Sequence, residues 1–130
     1  MAKYLLDTDV IIEWLRGNAR VVAWLKGHDA AGDYLACTPV NLAEVYAGLR
    51  PREEFVIGDL LRVLHCVELD ERAGRKAGAY RKAFGRSHGV EIADALIAAA
   101  AHVHGLRLCS LNLRHYPMRD LKKATRVTRR

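Results

Sequence analysis

Leu5-Leu6-Asp7-Thr8-Asp9-Val10-Ile11 decides how this chain is read. A short apolar run reaches an acidic turn, and a second apolar run follows at once and closes at Gly17. The first half reads as a strand over 3–6 ending at Asp7, and the second as a helix over 10–16 with Asp9 as its cap. Working outward, the same alternation repeats. Asn18 caps a helix through Lys26, with Gly27 after it, and a strand follows over 33–37. Thr38-Pro39 has the cap-then-proline order of a helix start; that helix runs to about 49. Pro51 begins the next, to about 64. A strand over 65–69 precedes a helix over 71–86, broken by Ser87-His88-Gly89. The alanine-rich stretch 91–104 reads as the strongest helix and stops at Gly105. A strand over 107–110 follows, with a short fifth at 124–127. Strands alternating with helices imply parallel strands joined by helical crossovers. The expected architecture is a three-layer α/β/α sandwich around a mostly parallel sheet of four to five strands.

The chain has 130 residues, of which 51% are apolar and 7% aromatic. That length suits a single domain over 1–130, with a basic tail from about 122, and is enough for a core without disulfide staples. The composition excludes a disordered chain. Twenty-one basic residues against fifteen acidic give a net charge of +6, which favours a polyanionic partner such as nucleic acid. Cys37, Cys66 and Cys109 are odd in number, contain no CxxC pair and fall in apolar segments read as strands. They read as buried thiols in a reducing compartment. The opening residues meet Asp7 too soon to form a secretory core, and no run reaches membrane-spanning length. The expected location is the cytoplasm.

Asp7, Glu44 (in Asn41-Leu42-Ala43-Glu44-Val45) and Asp94 (in Ile92-Ala93-Asp94-Ala95-Leu96-Ile97) are carboxylates set in apolar stretches. Buried alone, each costs several kcal/mol or is neutralised. Converging on a divalent cation, they satisfy one another through it. Asp94 shares its helix face with Ala98 and Ala101, and Glu44 with Val40, Asn41, Ala47 and Gly48. Such small neighbours suit close packing rather than an open polar face. In a parallel α/β sheet, ligands bind at the carboxyl ends of the strands. Asp7 falls at such an end, and so do Ser110 to Asn112. Together the acids and the basic surface point to a metal-dependent hydrolase of phosphate esters.

These segments, with Ser110-Leu111-Asn112-Leu113-Arg114-His115-Tyr116-Pro117, resemble the PIN-domain ribonucleases in order and spacing, and among them the VapC-type toxins of toxin–antitoxin pairs. The resemblance runs from Lys3 to about Leu121. It implies an endoribonuclease dependent on Mg²⁺ or Mn²⁺, with Asp7, Glu44 and Asp94 as the core acidic positions and metal ligands. The fourth position, often aspartate in that family, is Asn112 here. Its neutral carbonyl weakens a second metal site, so one firmly held cation is expected. The cation acidifies water and neutralises charge on the scissile phosphate, and the implied products are a 5′-phosphate and a 3′-hydroxyl.

Around this core, Thr8, Ser110, Arg81, Arg86 and Arg114 are candidates for positioning RNA, the arginines through phosphate contacts. His102 and His104 stand two apart on a helix and do not face one way, which excludes a zinc pair there. His115 reads as an ordinary loop histidine. Two tryptophans and many branched residues make the first two helices more apolar than one small face needs. Most of these residues read as core; the surplus, with Trp14 and Leu15, leaves a face on which a partner's amphipathic helix could lie, with Arg16 and Arg50 helping to bind it. By resemblance that partner is a VapB-like antitoxin, and the toxin pairs with itself as a homodimer within a larger hetero-oligomer. Two other readings stay open. Asp7-Thr8-Asp9-Val10-Ile11 partly echoes haloacid-dehalogenase-like enzymes, although Ile11 stands where they place threonine or valine and Asp94 has no acidic partner in its motif. Asn112 leaves room for a catalytically weak PIN-like scaffold that binds RNA or protein without cutting.

Overall fold

The computed structural model describes residues 1–124. Its core is a four-stranded, all-parallel sheet of β1 (Lys3–Leu6), β2 (Tyr34–Cys37), β3 (His65–Cys66) and β4 (Arg107–Cys109), in the order β3-β2-β1-β4. Helices α1 (Thr8–Leu15) and α2 (Ala19–Ala30) join β1 to β2. Helix α3 (Pro39–Ala47), a 3₁₀ turn (Pro51–Glu53) and α4 (Glu54–Val63) join β2 to β3. Helices α5 (Glu71–His88) and α6 (Ile92–Val103) join β3 to β4, and a 3₁₀ turn (Leu113–His115) follows. Among the described residues, no helix is long and apolar enough to cross a membrane.

The strands alternate their side chains between two apolar layers, as the two-residue period demands. Leu5, Ala36 and Leu108 enter the core shared with α5 and α6. Leu6, Leu35, Cys37 and Cys109 enter the core shared with α1, α2 and α4. Short runs buried on both faces are what a parallel sheet requires, so the expected α/β/α sandwich is the fold observed. Helix α6 explains its own composition: Ala95, Ala98, Ala99, Ala100 and Ala101 are all fully buried. Alanine keeps the helix favourable while letting its backbone approach the sheet closely on one side and α5 on the other.

Several boundaries differ from the sequence reading. Helix α1 starts at Thr8, not Val10, because the Asp7 side chain accepts the Thr8 N–H and itself serves as the cap. Asp9 therefore lies inside the first turn and is not the cap. Helix α2, capped by Asn18 as expected, runs through Gly27 to Ala30. Its stop comes at Gly32, whose φ of +78° only glycine adopts without strain. Strand β3 ends at Cys66 rather than residue 69, because its partner β2 ends at Cys37, where Thr38 begins to cap α3. Cys66 is exposed rather than buried, whereas Cys37 and Cys109 are buried as expected. Of the expected fifth strand, Lys123 forms a parallel bridge to Leu108 and the Ala124 N–H donates to the Leu108 carbonyl at 2.8 Å. Residues 125–127 lie outside the described residues.

The strand order places the site. The chain lays down β1, β2 and β3 in one direction, then crosses to put β4 on the other flank of β1. The crevice beyond the carboxyl ends of β1 and β4 is the switch point at which such sheets bind ligands.

Candidate active site

Asp7 emerges from β1 into that crevice. Its N–H donates to the Cys109 carbonyl at 2.8 Å, which ties the turn to β4. The carboxylate is 8% exposed. Oδ1 accepts the Thr8 N–H at 2.9 Å. Oδ2 accepts the Ser110 hydroxyl and the Tyr116 phenol, each at 2.8 Å. Burial, and next the negative charge of Asp9, push the Asp7 carboxyl up from 3.8 to about 6, against the pull of these three donors. Burial and the Asp7 charge also raise the Tyr116 phenol, and burial with Asp9 and Asp7 raises the Cys109 thiol. Burial is the larger cause in each case, and the neighbouring carboxylates add to it.

A cleft of about 260 Å³ is lined by Asp7, Thr8, Asp9, Glu44, Asp94, Asn112, His115 and Tyr116. The three acids singled out in the sequence come together here, although 37 and 50 residues separate consecutive members. Glu44 is an exposed residue of α3, not one enclosed by small apolar neighbours. What fixes it is a 2.7 Å hydrogen bond from the Thr8 hydroxyl to Oε1. Asp94 stands in the first turn of α6, half-buried, and its Oδ2 accepts the Glu91 N–H at 3.3 Å. It is both a first-turn capping acid and a cleft residue. Asn112 is exposed at the cleft, and its N–H donates to the Ser110 hydroxyl oxygen at 3.0 Å.

Sequence reasoning passed over three residues here. Asp9, assigned to a helix cap, lines the cleft and accepts the Leu111 N–H at 3.2–3.3 Å and the Ser110 hydroxyl at 3.4 Å. Its position two residues after Asp7, in the first turn of α1, was the available signal. Tyr116 lay in a quoted motif without a role, and it is 1% exposed beneath Asp7. His115, read as a loop histidine beside the fourth motif, lines the cleft.

The other candidates spread out. Ser110 holds Asp7 from behind. Arg114 lines an adjoining hollow with Ser110, Leu111, Asn112 and Leu113. Arg81 and Arg86 line a separate hollow on α5 with Gly78, Lys82, Gly85 and Ile92. Arg81 also has a fold role, donating to the Val90 carbonyl at 2.7 Å and pairing with Glu91 at 3.6 Å. Leu15, Arg16, Arg50, Pro51, Arg52 and Glu53 line a further hollow. Trp14 and Trp24 are half-buried against the core. Trp24 packs between Tyr4 and His28, at ring distances of 5.3 and 4.2 Å, so much of the apolar excess in the first two helices is internal packing.

A doubly covered parallel sheet with a cleft at its switch point places this chain among the α/β proteins, and four carboxylates line that cleft. The PIN domain family matches residues 4–121, and the chain belongs to that family. Ribonuclease VapC10 of Mycobacterium tuberculosis is 36% identical over 115 residues, spanning 88% of this chain and 86% of that protein. In the DNA-bound VapBC of Salmonella typhimurium, a chain 22% identical superposes with a TM-score of 0.79 over 95% of this chain and 98% of that one, a likeness of fold. A chain of FitAcB from Neisseria gonorrhoeae is 28% identical, with a TM-score of 0.67 over 94% of this chain and 96% of that one. The family match sets aside the haloacid-dehalogenase-like alternative.

Proposed function

We propose that this chain is a Mg²⁺- or Mn²⁺-dependent endoribonuclease, the toxin of a toxin–antitoxin pair, acting in the cytoplasm as a single PIN-like domain. The observation that carries the reading is the convergence of Asp7, Glu44 and Asp94, with Asp9 and Asn112, on one cleft beside β1 and β4. The ribonuclease named among the relatives and the complexes named among the similar structures agree with it.

The donor set fits a hard divalent cation. Every candidate ligand is an oxygen, and four carboxylates, those of Asp7, Asp9, Glu44 and Asp94, line the one cleft. Among the described residues, no three His, Cys, Asp or Glu side chains form a ready-made metal cluster. Mg²⁺ keeps several waters and takes only one or two carboxylates directly, so the site needs no closed cage. Asp7, Glu44 and Asp94 would hold the ion, and Asp9 would add the charge that Asn112 does not supply. When bound, the cation supplies Lewis acidity toward the scissile phosphate.

The chain's own residues do the rest. The Thr8 N–H, Ser110 and Tyr116 fix both oxygens of Asp7, so its carboxylate is oriented before substrate arrives. The Leu111 N–H does the same for Asp9, and Thr8 for Glu44. The openings toward Asn112, His115 and Arg114 give an RNA strand access, with Arg114 placed for a phosphate. Attack in line on phosphorus, expelling the 3′ oxygen, yields a 5′-phosphate and needs no histidine base. The hollow lined by Leu15 and three arginines offers an apolar floor and positive walls to an antitoxin segment. The test compares Mn²⁺-dependent RNA cleavage by wild type, Asp7→Ala and Asp94→Ala. Loss of activity in both variants is expected; equal cleavage by all three overturns the reading.

A further inference from the structure

Behind the cleft lies an amide with no solvent contact. Asn41, in the first turn of α3, is fully buried. Its Oδ1 accepts both the N–H and the hydroxyl of Thr38 at 2.8 Å. Its Nδ2 donates to the Thr8 hydroxyl oxygen at 2.9 Å. A main-chain N–H can only donate, so the oxygen of the amide must face Thr38 and the nitrogen must face Thr8. A hydroxyl carries one proton. With a lone pair of Thr8 Oγ1 taken by Asn41, its proton points to Glu44 Oε1 at 2.7 Å. The chain of bonds therefore runs one way, from the Thr38 main chain through Asn41 and Thr8 to Glu44.

Helix capping does not account for this nitrogen. The start of α3 is satisfied by the Thr38 hydroxyl accepting the Asn41 N–H at 3.2 Å and by Oδ1 accepting the Thr38 N–H. Any side chain with an acceptor oxygen at this position completes that box. The donor is surplus to the cap, and among the described residues it goes to Thr8, the residue that holds Glu44. Glu44 is the most exposed of the three separated acids, on a long side chain whose rotamers are otherwise free in water.

We propose that Asn41 is a positioning residue of the acid cleft: its amide sets the direction of the Thr8 hydroxyl and so holds the Glu44 carboxylate in the rotamer that lines the cleft. The inference rests on the reading of Glu44 as a metal ligand. Outer hydrogen-bond partners of metal ligands typically change affinity by about 10- to 100-fold.

The experiment measures Mn²⁺ affinity by titration calorimetry on the cation-free chain, alongside kcat and KM on a mixed-sequence single-stranded RNA. Asn41→Ala and Thr8→Val are each expected to weaken Mn²⁺ binding by about 10-fold and to lower kcat more than they raise KM. The double variant is expected to lose no more than either single one, because both break the same line of bonds. Thr8→Ser restores the hydroxyl and is expected to bind as wild type. Thr38→Ala removes the cap hydroxyl and lowers the melting temperature, yet keeps Mn²⁺ affinity, which separates positioning from folding. Wild-type Mn²⁺ affinity in Asn41→Ala, or independent additive losses, overturns the proposal. If Asn41→Ala does not fold, equal affinities in Thr8→Val and Thr8→Ser overturn it. Glu44→Gln separates the two levels. Should it bind Mn²⁺ and cleave as wild type, the role of Glu44 itself fails; should it weaken binding while Asn41→Ala does not, only the role of Asn41 fails.

Discussion

The phenol of Tyr116 donates a 2.8 Å hydrogen bond to Oδ2 of Asp7, across 109 residues of chain. One bond thus ties the loop after β4 to the end of β1 and fixes the acid at the centre of the cleft. Ser110 donates to the same oxygen, so Oδ2 is held from two sides.

Removing the phenol tests that arrangement. Tyr116→Phe keeps the buried ring and deletes one donor to Asp7. A buried hydrogen bond to a carboxylate contributes about 1.5–3 kcal/mol, and denaturant unfolding is expected to show a loss in that range at neutral pH. Because this bond pulls the Asp7 carboxyl down against burial, its loss drives the carboxyl above about 6. The acidic limb of the pH–rate profile moves to higher pH. An unmoved limb means that Asp7 does not govern it.

The stability of the cation-free chain carries the same signature with a definite sign. The Asp7 carboxyl rises from 3.8 unfolded to about 6 folded, through burial and then the charge of Asp9. Between those values the folded state binds more protons than the unfolded one, so stability falls as pH rises. The contribution is fully present below pH 3.8, declines through pH 6, and amounts to about 3 kcal/mol. Asp9, Glu44, Asp94, His115, Tyr116 and Cys109 surround the group. Melting curves from pH 4 to pH 8 check this: Asp7→Asn is expected to flatten the decline. Mn²⁺ is expected to raise the melting temperature more at pH 7.5 than at pH 5, where protons compete for the same carboxylate.

Much of this was legible in the sequence because it depends on local pattern. Thr38-Pro39, the alternating apolar runs and the alanine run at 98–101 each specify an element through short-range physics, and each element formed. Asp7 was legible because a charge in an apolar run needs a partner when it is buried; Glu44 is exposed and Asp94 half-buried, so their convergence with it rested on the order and spacing of the motifs. What stayed hidden is set by long-range hydrogen bonds. Whether Asp7 or Asp9 caps α1 turns on a two-residue difference in helix start, and the Asp7 side chain takes the cap by accepting the Thr8 N–H, while its own N–H is tied to Cys109 of β4. Tyr116 and Asn41 look like a loop aromatic and a capping residue until the strands place them against Asp7 and Thr8. The length of β3 depends on where its neighbour ends, which its own residues do not encode.

Asp9 gives a test that separates a cap from a cleft residue. Asp9→Asn keeps an oxygen for the Leu111 N–H and removes the charge. As the second cause of the raised Asp7 carboxyl, its loss is expected to lower the Asp7 midpoint, readable as a carboxyl titration by NMR. Mn²⁺ binding is expected to weaken by about 10-fold or more while the melting temperature at pH 7 holds or rises, since a like charge beside Asp7 is gone. A helix-cap role predicts lost stability with cation affinity unchanged.

The arginine-lined hollow, proposed as the antitoxin contact, can be tested against a role in RNA contact. Arg16, Arg50 and Arg52 surround Leu15 and Pro51, and none of them lines the acid cleft. With an apolar floor and no aromatic ring for a base to stack on, the hollow suits an amphipathic acidic peptide better than a nucleotide. Arg16→Glu combined with Arg50→Glu is expected to weaken the cognate antitoxin by at least about 100-fold, because like charges then face each other across the contact. The KM for RNA and the kcat of the free toxin are expected to stay within about 2-fold of wild type, under a third of the free energy of a tenfold change. A large rise in KM with antitoxin affinity unchanged would assign the hollow to the RNA path instead.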